Sequence, residues 1–355
     1  MRNAVRKIGY FCSLVPEEII MAAGLQPVRI SGQAESTSAA DGYLYHNLCP
    51  YIKNVMSGGL EGGLKGLDGV VFARSCDGMR RMYDAWKTYV NGGFSYMLEV
   101  PRNNDEDAVQ YYTTQLREFA RSLEHACGGK ISTAALRKSI RKLNKSRHLL
   151  RAIYFFQQTT PLPFKGSHLF KLGLTVFSED KNEAEKKLRD HHRKSWSVEP
   201  RKPNGRKARI LISGNVMDRP DLFEIVEAAG AEVPAADLCT DLRYFNRFVD
   251  EDITDPYLAL ARAYLGEPHC SRTASARERA EEIRKLTQTY NIDGVLLTSV
   301  KFCDQHLYDA PFIMRDLAEA EIPAIFLEND YTFTSRSQIA TRVEGFIETL
   351  EGRRS

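Results

Sequence analysis

The sequence predicts an α/β protein built from two similar parallel-sheet lobes, and three observations indicate this fold class. Residues 67–77 and 292–304 are nearly the same: each has a short apolar run after Asp-Gly and ends in Cys-Asp. The phrases Ala22-Ala23-Gly24 and Ala228-Ala229-Gly230 stand at matching points of the two halves. Each half also alternates strand and helix patterns, as parallel sheets require. We therefore predict two Rossmann-like (flavodoxin-like) lobes with a helical insertion between them.

Length and composition are consistent with this architecture. A chain of 355 residues is too long for one ordinary core and suits two α/β domains with extra helices. The 43% hydrophobic and 27% charged residues are typical of a soluble globular protein. The net charge of +3 gives no indication of a nucleic-acid partner, so we expect none.

The chain shows no targeting or membrane-spanning pattern. Its N-terminus has no apolar core long enough for a signal peptide, and no long apolar run occurs elsewhere. We therefore expect a cytoplasmic protein with no membrane partner. Its seven cysteines should then be reduced, and their odd number and irregular spacing argue against a disulfide framework.

The first half follows a strand–helix order. A helix is predicted from Pro16 to Ala23, because proline is preset for a first turn, acids at Glu17 and Glu18 suit the helix dipole, and Gly24 is a natural stop. A second helix begins at Asp77, and a long loop runs up to Cys49. Short apolar runs predict strands at residues 7–11, 26–30, 69–73 and 96–100.

The second half repeats the plan. A helix is predicted from Pro220 to Ala229, with Gly230 as its stop. Strands are predicted at residues 209–213, 231–235, 294–298 and 324–328. The matching order of elements makes an internal duplication the simplest explanation of the repeated phrases.

The region between the lobes has helical periodicity and a basic end. Apolar residues recur at helical spacing at Leu116, Phe119 and Leu123, and again at Leu136 and Ile140. Basic residues crowd its end, where proline and glycine at 200–205 predict an exposed linker. We predict a first lobe at 1–103, an insertion with its linker at 104–205, and a second lobe at 206–355. The basic segment is interpreted either as solvated surface or as a contact for coenzyme A phosphates.

Cys76 and Cys303 carry the clearest signal for metal chemistry. Each follows a predicted strand and precedes a helix, so the two halves direct one thiol each toward the crevice where open α/β sheets bind ligands. A helix N-terminus lowers a thiol pKa to roughly 3.5–7.5 in favourable settings, and thiolates suit iron–sulfur clusters or zinc. Cys49, in the first half, is the third candidate. The competing interpretation is that these are small buried hydrophobes, as most free cysteines are.

The other cysteines and two histidines carry weaker signals. Cys239 and Cys270 fall in the second-half region that corresponds to Cys49, so either could line the crevice or be structural. Cys12 and Cys127 are predicted simply to pack. His46 and His306 lie three residues from Cys49 and Cys303 and are candidate hydrogen-bond or proton donors, or ordinary loop residues.

Several well-known motifs are absent. No C-x2-C occurs, which disfavours zinc fingers and bacterial ferredoxin clusters. The loop at residues 212–220 lacks the glycine patterns of dinucleotide and Walker-type sites. Any dependence on ATP must therefore come from a partner.

Several short sequence motifs, in the same order along the chain, closely resemble those of one known family. Ile8-Gly9-Tyr10-Phe11, His46-Asn47-Leu48-Cys49, Asp237-Leu238-Cys239-Thr240 and Lys301-Phe302-Cys303-Asp304 are among them, and the match spans nearly the whole chain. They resemble the 2-hydroxyacyl-CoA dehydratase and benzoyl-CoA reductase subunit family. The resemblance implies two Rossmann-like lobes whose cleft holds a [4Fe-4S] cluster on three cysteines, matched here by Cys49, Cys76 and Cys303.

The resemblance also implies partners and a reaction. In such enzymes two related cluster-bearing subunits pair, as a heterodimer with a paralogue or as a homodimer. A separate ATP-hydrolysing iron–sulfur activator supplies one low-potential electron, and an acyl-CoA thioester is reduced to a ketyl radical. The expected activity is that of a 2-hydroxyacyl-CoA dehydratase, a lyase, or of an acyl-CoA ring reductase, an oxidoreductase. No motif identifies a proton-transfer residue.

Two alternatives remain open at this stage. With Cys239 and Cys270 as additional ligands, the cleft would hold a double-cubane [8Fe-9S] cluster, as in homodimeric relatives that reduce small molecules. The chain would otherwise be a non-catalytic subunit that relays electrons to a paralogue. The identity of the acyl group is not encoded in any motif.

Overall fold

A computed structural model describes residues 6–90, 93–197 and 206–353. The first lobe is a four-stranded parallel sheet in the order β2-β1-β3-β4. Its strands are β1 Lys7–Tyr10, β2 Gln26–Arg29, β3 Gly69–Ala73 and β4 Phe94–Leu98. Its helices are α1 Glu17–Ala22, α2 Ser38–Asp41, α3 Pro50–Leu60 and α4 Asp77–Tyr89. The predicted linker at 200–205 lies outside the described residues.

Four helices follow the first sheet: α5 Glu106–Cys127, α6 Thr133–Phe155, α7 Gly166–Ser178 and α8 Lys181–Ser195. Side chains cap the N-termini of the first two, since Asp105 accepts a hydrogen bond from the Ala108 amide at 2.8 Å and Ser132 accepts one from Ala135 at 3.1 Å. Leu116, Phe119 and Leu123 are fully buried, as the helical spacing predicts.

The second lobe repeats the topology of the first. Its sheet has the order β6-β5-β7-β8, with all neighbours parallel. The strands are β5 Arg209–Gly214, β6 Glu232–Asp237, β7 Gly294–Val300 and β8 Ala324–Asn329. The helices are α9 Asp221–Ala228, α10 Leu242–Phe245, α11 Pro256–Leu265, α12 Ala276–Thr289, α13 Asp304–Glu319 and α14 Arg336–Gly352. The predicted two-lobe α/β fold is confirmed; the exact domain limits stay predictions.

The repeated Asp-Gly pair has the same structural role in both lobes. The Asp68 carboxylate accepts the Lys7 amide at 2.7 Å, and the Asp293 carboxylate accepts the Arg209 amide at 2.8 Å. Each aspartate thereby joins the start of the first strand of its lobe to the start of the central strand. The next residue must be glycine, because a Cβ at Gly69 would lie 2.5 Å from the Phe94 carbonyl oxygen. The repeated Asp-Gly pair therefore helps to set the register between neighbouring strands of each sheet.

Buried polar contacts fix α1 of the first lobe against the rest of the molecule. Glu17 accepts a hydrogen bond from Lys181 of α8 at 2.5 Å and another from Tyr244 of α10. Glu18 pairs with Arg147 of α6 at 2.9 Å, and both side chains are fully buried. These contacts hold the two lobes and the insertion in one arrangement. None of the described helices has the length and apolarity needed to cross a bilayer.

Some predicted bounds differ from the structure. Strand β4 lies two residues earlier than expected, and the predicted loop before Cys49 contains the short helix α2. Helix α3, directly after Cys49, was not predicted because Ser57, Gly58 and Gly59 interrupt its pattern with poor helix formers. Gly59 is nevertheless required, since a Cβ there would lie 2.6 Å from the Trp86 ring.

Candidate metal centre

The carboxyl ends of both sheets border one cavity of about 140 Å³. Residues shortly after β1, β3, β5 and β7 line it, namely Phe11, Ser75, Asn215 and Phe302. Its lining includes six of the seven cysteines: Cys12, Cys49, Cys76, Cys239, Cys270 and Cys303. This is the position at which open α/β sheets bind ligands.

The three cysteines singled out from the sequence each stand at a helix N-terminus. Cys49 precedes α3, Cys76 precedes α4 and Cys303 precedes α13. The Met79 amide of α4 donates a hydrogen bond to the Cys76 sulfur at 3.3 Å. The duplication thus places Cys76 and Cys303 in the same strand-to-helix turn of the two lobes, and the cavity brings them together with Cys49.

The turn at Cys303 is held from both lobes. Phe302 has a φ of 58°, a left-handed conformation that is uncommon for a bulky residue and that clusters at functional sites. Gln305 donates a hydrogen bond to the Ser75 carbonyl of the first lobe at 2.5 Å. Asn215 of the second lobe lines the cavity with Cys303, and its side chain accepts a hydrogen bond from the Val300 amide at 3.3 Å. Contacts across the gap therefore fix Cys303 relative to the turn that carries Cys76.

Three further cysteines share the cavity. Cys12 follows β1, Cys239 follows β6, and Cys270 lies in the loop between α11 and α12. Sequence analysis predicted only packing for Cys12, which does contact the core but also lines the cavity. Its position at the carboxyl end of a strand was the signal that could have identified it. Cys127 ends α5 and does not line the cavity.

The six cavity thiols influence one another electrostatically. Burial, with help from the nearby Cys270 and Cys239, raises the pKa of Cys12 to about 11. Burial likewise raises the pKa of Cys49, and Cys303 and Cys76 add to that effect. We call Cys49, Cys76 and Cys303 the first set of thiols and Cys12, Cys239 and Cys270 the second set. The two sets adjoin, because Cys270 and Cys239 influence Cys303 and Cys12 influences Cys76.

The lowered thiol pKa expected at helix N-termini is wrong for the protein without a bound ion. Burial raises the pKa of Cys76 to about 12, against the opposing hydrogen bond from Met79. Burial also raises the pKa of Cys303, although Asn215 and the His306 amide oppose it. Loss of water around the thiol therefore outweighs the favourable amides. A bound cation reverses this balance, because coordination deprotonates a thiol outright.

The two histidine candidates differ. His306 lines the cavity and is buried, and burial, with help from Arg279 and Arg243, holds its pKa well below the usual value. It is therefore a neutral imidazole near the thiols. His46 is exposed and does not line the cavity.

A buried ion pair supports the segment that carries Cys239. Asp237, the last residue of β6, accepts two hydrogen bonds from Arg243, each at 2.6 Å. Burial acts to raise the pKa of Asp237, but the Arg243 guanidinium outweighs it and holds the pKa below its usual range. Both side chains are almost fully buried, so the pair is little screened by solvent.

This ion pair predicts an acid-dependent loss of stability. Asp237→Asn should cost about 2 kcal/mol at neutral pH, because it removes a charge-assisted hydrogen-bonded pair. The folded-state pKa is depressed, so the stabilisation is complete above the unfolded pKa and is lost as pH falls through the folded value. Urea unfolding from pH 7 to pH 3 should show the two proteins converging below about pH 4. A difference that stays constant over that range would contradict the assignment.

The cavity thiols do not form a compact site for a single metal ion. Among the described residues, the group whose ligand atoms all lie within 4.8 Å of one another is Glu267, His269 and Glu282, and it contains no cysteine. The cavity thiols are thus too widely spread to surround one zinc ion. A cluster of several irons needs cysteine ligands around a larger inorganic core.

The sequence is similar to known proteins over nearly its whole length. The sequence profile of the family described as "2-hydroxyglutaryl-CoA dehydratase, D-component" matches residues 12–350. The chain is 25% identical to the (R)-phenyllactyl-CoA dehydratase beta subunit of Clostridium sporogenes, over 97% of this chain and 92% of the relative.

Two further relatives are similar over most of their length. A benzoyl-CoA reductase subunit of Thauera aromatica is 28% identical, over 90% of this chain and 84% of the relative. The beta subunit of lactoyl-CoA dehydratase from Anaerotignum propionicum is 27% identical, over 94% of this chain and 89% of the relative. All three relatives are named as subunits of acyl-CoA enzymes.

Proposed function

The chain belongs to the 2-hydroxyglutaryl-CoA dehydratase D-component family, and from this premise we propose that it is the [4Fe-4S] cluster-bearing subunit of a radical 2-hydroxyacyl-CoA dehydratase or of a benzoyl-CoA reductase type enzyme. One observation carries the proposal: Cys49, Cys76 and Cys303 come from both lobes, each precedes a helix, and all three line one cavity. Their shared position supports a common ligand.

Cys49, Cys76 and Cys303 would hold the cluster, which leaves one iron to a ligand other than these cysteines. When bound, such a cluster supplies one-electron chemistry at a potential set by its surroundings. The chain contributes the surroundings. Apolar side chains form part of the cavity wall, among them Phe11, Leu48, Ile52, Met79 and Val216. An apolar wall lowers the local dielectric constant and strengthens each electrostatic interaction inside the cavity.

The partners follow from the same proposal. The relatives are named as subunits, which supports pairing of this chain with a paralogous subunit or with a second copy of itself. A separate ATP-hydrolysing iron–sulfur activator would deliver the electron, and an acyl-CoA would be the substrate. If the paralogue alone binds acyl-CoA, this chain is instead the non-catalytic electron relay.

Metal analysis tests the proposal directly. Protein purified or reconstituted without oxygen should contain about four irons and four sulfides per chain and give a cluster signal in electron paramagnetic resonance after one-electron reduction. Protein with no iron and no sulfide after anaerobic reconstitution would contradict it.

The second set of thiols favours a second candidate, a double-cubane [8Fe-9S] cluster of a small-molecule reductase. Cys12, Cys239 and Cys270 line the same cavity as the first set. Six thiols can serve two cubanes with three cysteines each. About eight irons per chain, falling to about four in a Cys12→Ser/Cys270→Ser variant, would identify this cluster. About four irons per chain in both the wild type and the variant would instead support the single [4Fe-4S] cluster.

A further inference from the structure

Arg29 is a buried cation in the cavity wall. It is the last residue of β2, it is 7% exposed, and it lines the cavity with the six cysteines. One guanidinium nitrogen donates a hydrogen bond to the Ser13 hydroxyl at 2.6 Å, and the guanidinium carbon lies 5.5 Å from the centre of the Phe177 ring. The Arg29 Nε has no hydrogen-bond partner. A strong donor is therefore left unused in a buried position.

Within the described ranges 6–90, 93–197 and 206–353, no carboxylate forms an ion pair with Arg29. The buried arginines Arg147 and Arg243 each have one, at 2.9 Å and 2.6 Å. Arg247 also lacks one, but it does not line the cavity and lies 4.7 Å from the centre of the Tyr264 ring. Burying an unpaired charge is costly, so a retained one indicates a missing counter-charge.

Asp218 is a buried carboxylate whose pKa Arg29 influences, but its oxygens are hydrogen-bonded to another residue. Both of its oxygens accept hydrogen bonds from the Tyr331 hydroxyl, at 2.7 Å and 2.8 Å. Burial raises the pKa of Asp218, and Arg29 only partly opposes that effect from beyond contact distance. Asp218 also does not line the cavity. It therefore does not neutralise Arg29 at the cavity wall.

The local contacts fix Arg29 beside the second set of thiols. Ser13, which accepts the Arg29 hydrogen bond, donates its own to the Cys239 carbonyl at 2.7 Å. Burial alone would lower the pKa of Arg29, but Tyr51 and Tyr10, and then Cys239 and Cys12, hold it above its usual value. Arg29 therefore stays charged. Asp77 and Asp304 line the same cavity but form no ion pair with Arg29, and Asp77 is paired with Arg81. Thiolates created by a bound cation are the anions that would meet Arg29 inside the cavity.

We propose that Arg29 is the built-in counter-ion of the bound iron–sulfur cluster and sets its reduction potential. The inference rests on the proposed function, since it requires a cluster in the cavity. Three thiolates on an oxidised cubane leave a net negative charge, and reduction adds one more. A fixed positive charge stabilises the reduced form more than the oxidised form, so it raises the potential. Arg29 is in this sense a positioning and tuning residue.

Two substitutions separate charge from shape. Arg29→Gln removes the charge and keeps an amide donor, whereas Arg29→Lys keeps the charge. We expect the midpoint potential of Arg29→Gln, from a redox titration followed by electron paramagnetic resonance, to be more negative than that of the wild type. Arg29→Lys should remain near the wild-type potential. Arg219→Gln, which removes a half-exposed charge paired with Asp221, is the matched control and should not change the potential.

A second readout uses the metal-free protein. Arg29→Gln should unfold at the same or a higher temperature than the metal-free wild type, because it removes an unpaired buried charge, yet retain less iron after desalting. A merely structural arginine would instead lower the unfolding temperature. A wild-type potential in Arg29→Gln, or equal loss of cluster in Arg29→Gln and Arg29→Lys, would overturn the inference. A wild type without iron would overturn the proposed function itself.

Discussion

Cys303→Ser is expected to lose most of its iron and at least about 100-fold of the activity of the assembled enzyme. Even loss of a residue that only supports a metal ligand costs roughly 10–100-fold, and Cys303 is proposed as a direct ligand. A serine hydroxyl is a harder donor that does not replace a thiolate toward iron in a cluster. The side chains are nearly isosteric, so the turn held by Gln305 and Phe302 should survive. Iron analysis and the cluster spectrum of anaerobic protein measure the effect.

The matched variants make this result specific. Cys76→Ser, in the equivalent turn of the other lobe, should show the same loss. Cys127→Ser should retain wild-type iron, because Cys127 is also a partly buried free cysteine but lies outside the cavity. Wild-type iron in either cavity variant would show that the two lobes do not share one cluster.

Arg147→Met is expected to lower the free energy of unfolding by about 3–5 kcal/mol, because it leaves a buried carboxylate without its partner. Glu18 and Arg147 are both fully buried and lie 2.9 Å apart. Methionine fills similar apolar space but cannot compensate the charge. The remaining hydrogen bond from Tyr264 to Glu18, at 2.7 Å, does not replace an ion pair.

Urea unfolding of the metal-free protein measures this effect without a contribution from the cluster. Adding Glu18→Gln to Arg147→Met should restore part of the lost stability, since the carboxylate is then neutral. Arg74→Met breaks a half-exposed pair with Glu99 and should cost less than about 1 kcal/mol. If Arg147→Met also lowered the free energy of unfolding by less than about 1 kcal/mol, the buried pair between α1 and the insertion would not stabilise the fold.

Local patterns were enough to predict the two lobes. The Asp-Gly repeat is visible in the sequence because its function is local: Asp68 and Asp293 each bond the amide that starts a neighbouring strand. Strand β3 is fully buried, so it appears as an uninterrupted apolar run. Cys76 and Cys303 could be singled out because each lies within a few residues of such a strand.

The features that sequence analysis missed depend on contacts between distant parts of the chain. Cys12 was predicted only to pack, because the end of β1 borders a cavity only when the second lobe faces it. The thiol pKa was expected to fall, but burial by residues of both lobes raises it. Arg29 is not part of any sequence motif, and the lack of a carboxylate paired with it can be seen only from its neighbours in the folded protein. In each case the property depends on residues that are distant in the sequence and close only in the folded protein.

The most direct test of the central claim is an anaerobic crystal structure with anomalous diffraction measured at the iron absorption edge. A peak from a multi-iron group inside the cavity, bonded to Cys49, Cys76 and Cys303, is the predicted result. Iron found elsewhere, for example at Glu267, His269 and Glu282, with the cavity thiols unbound, would contradict the account.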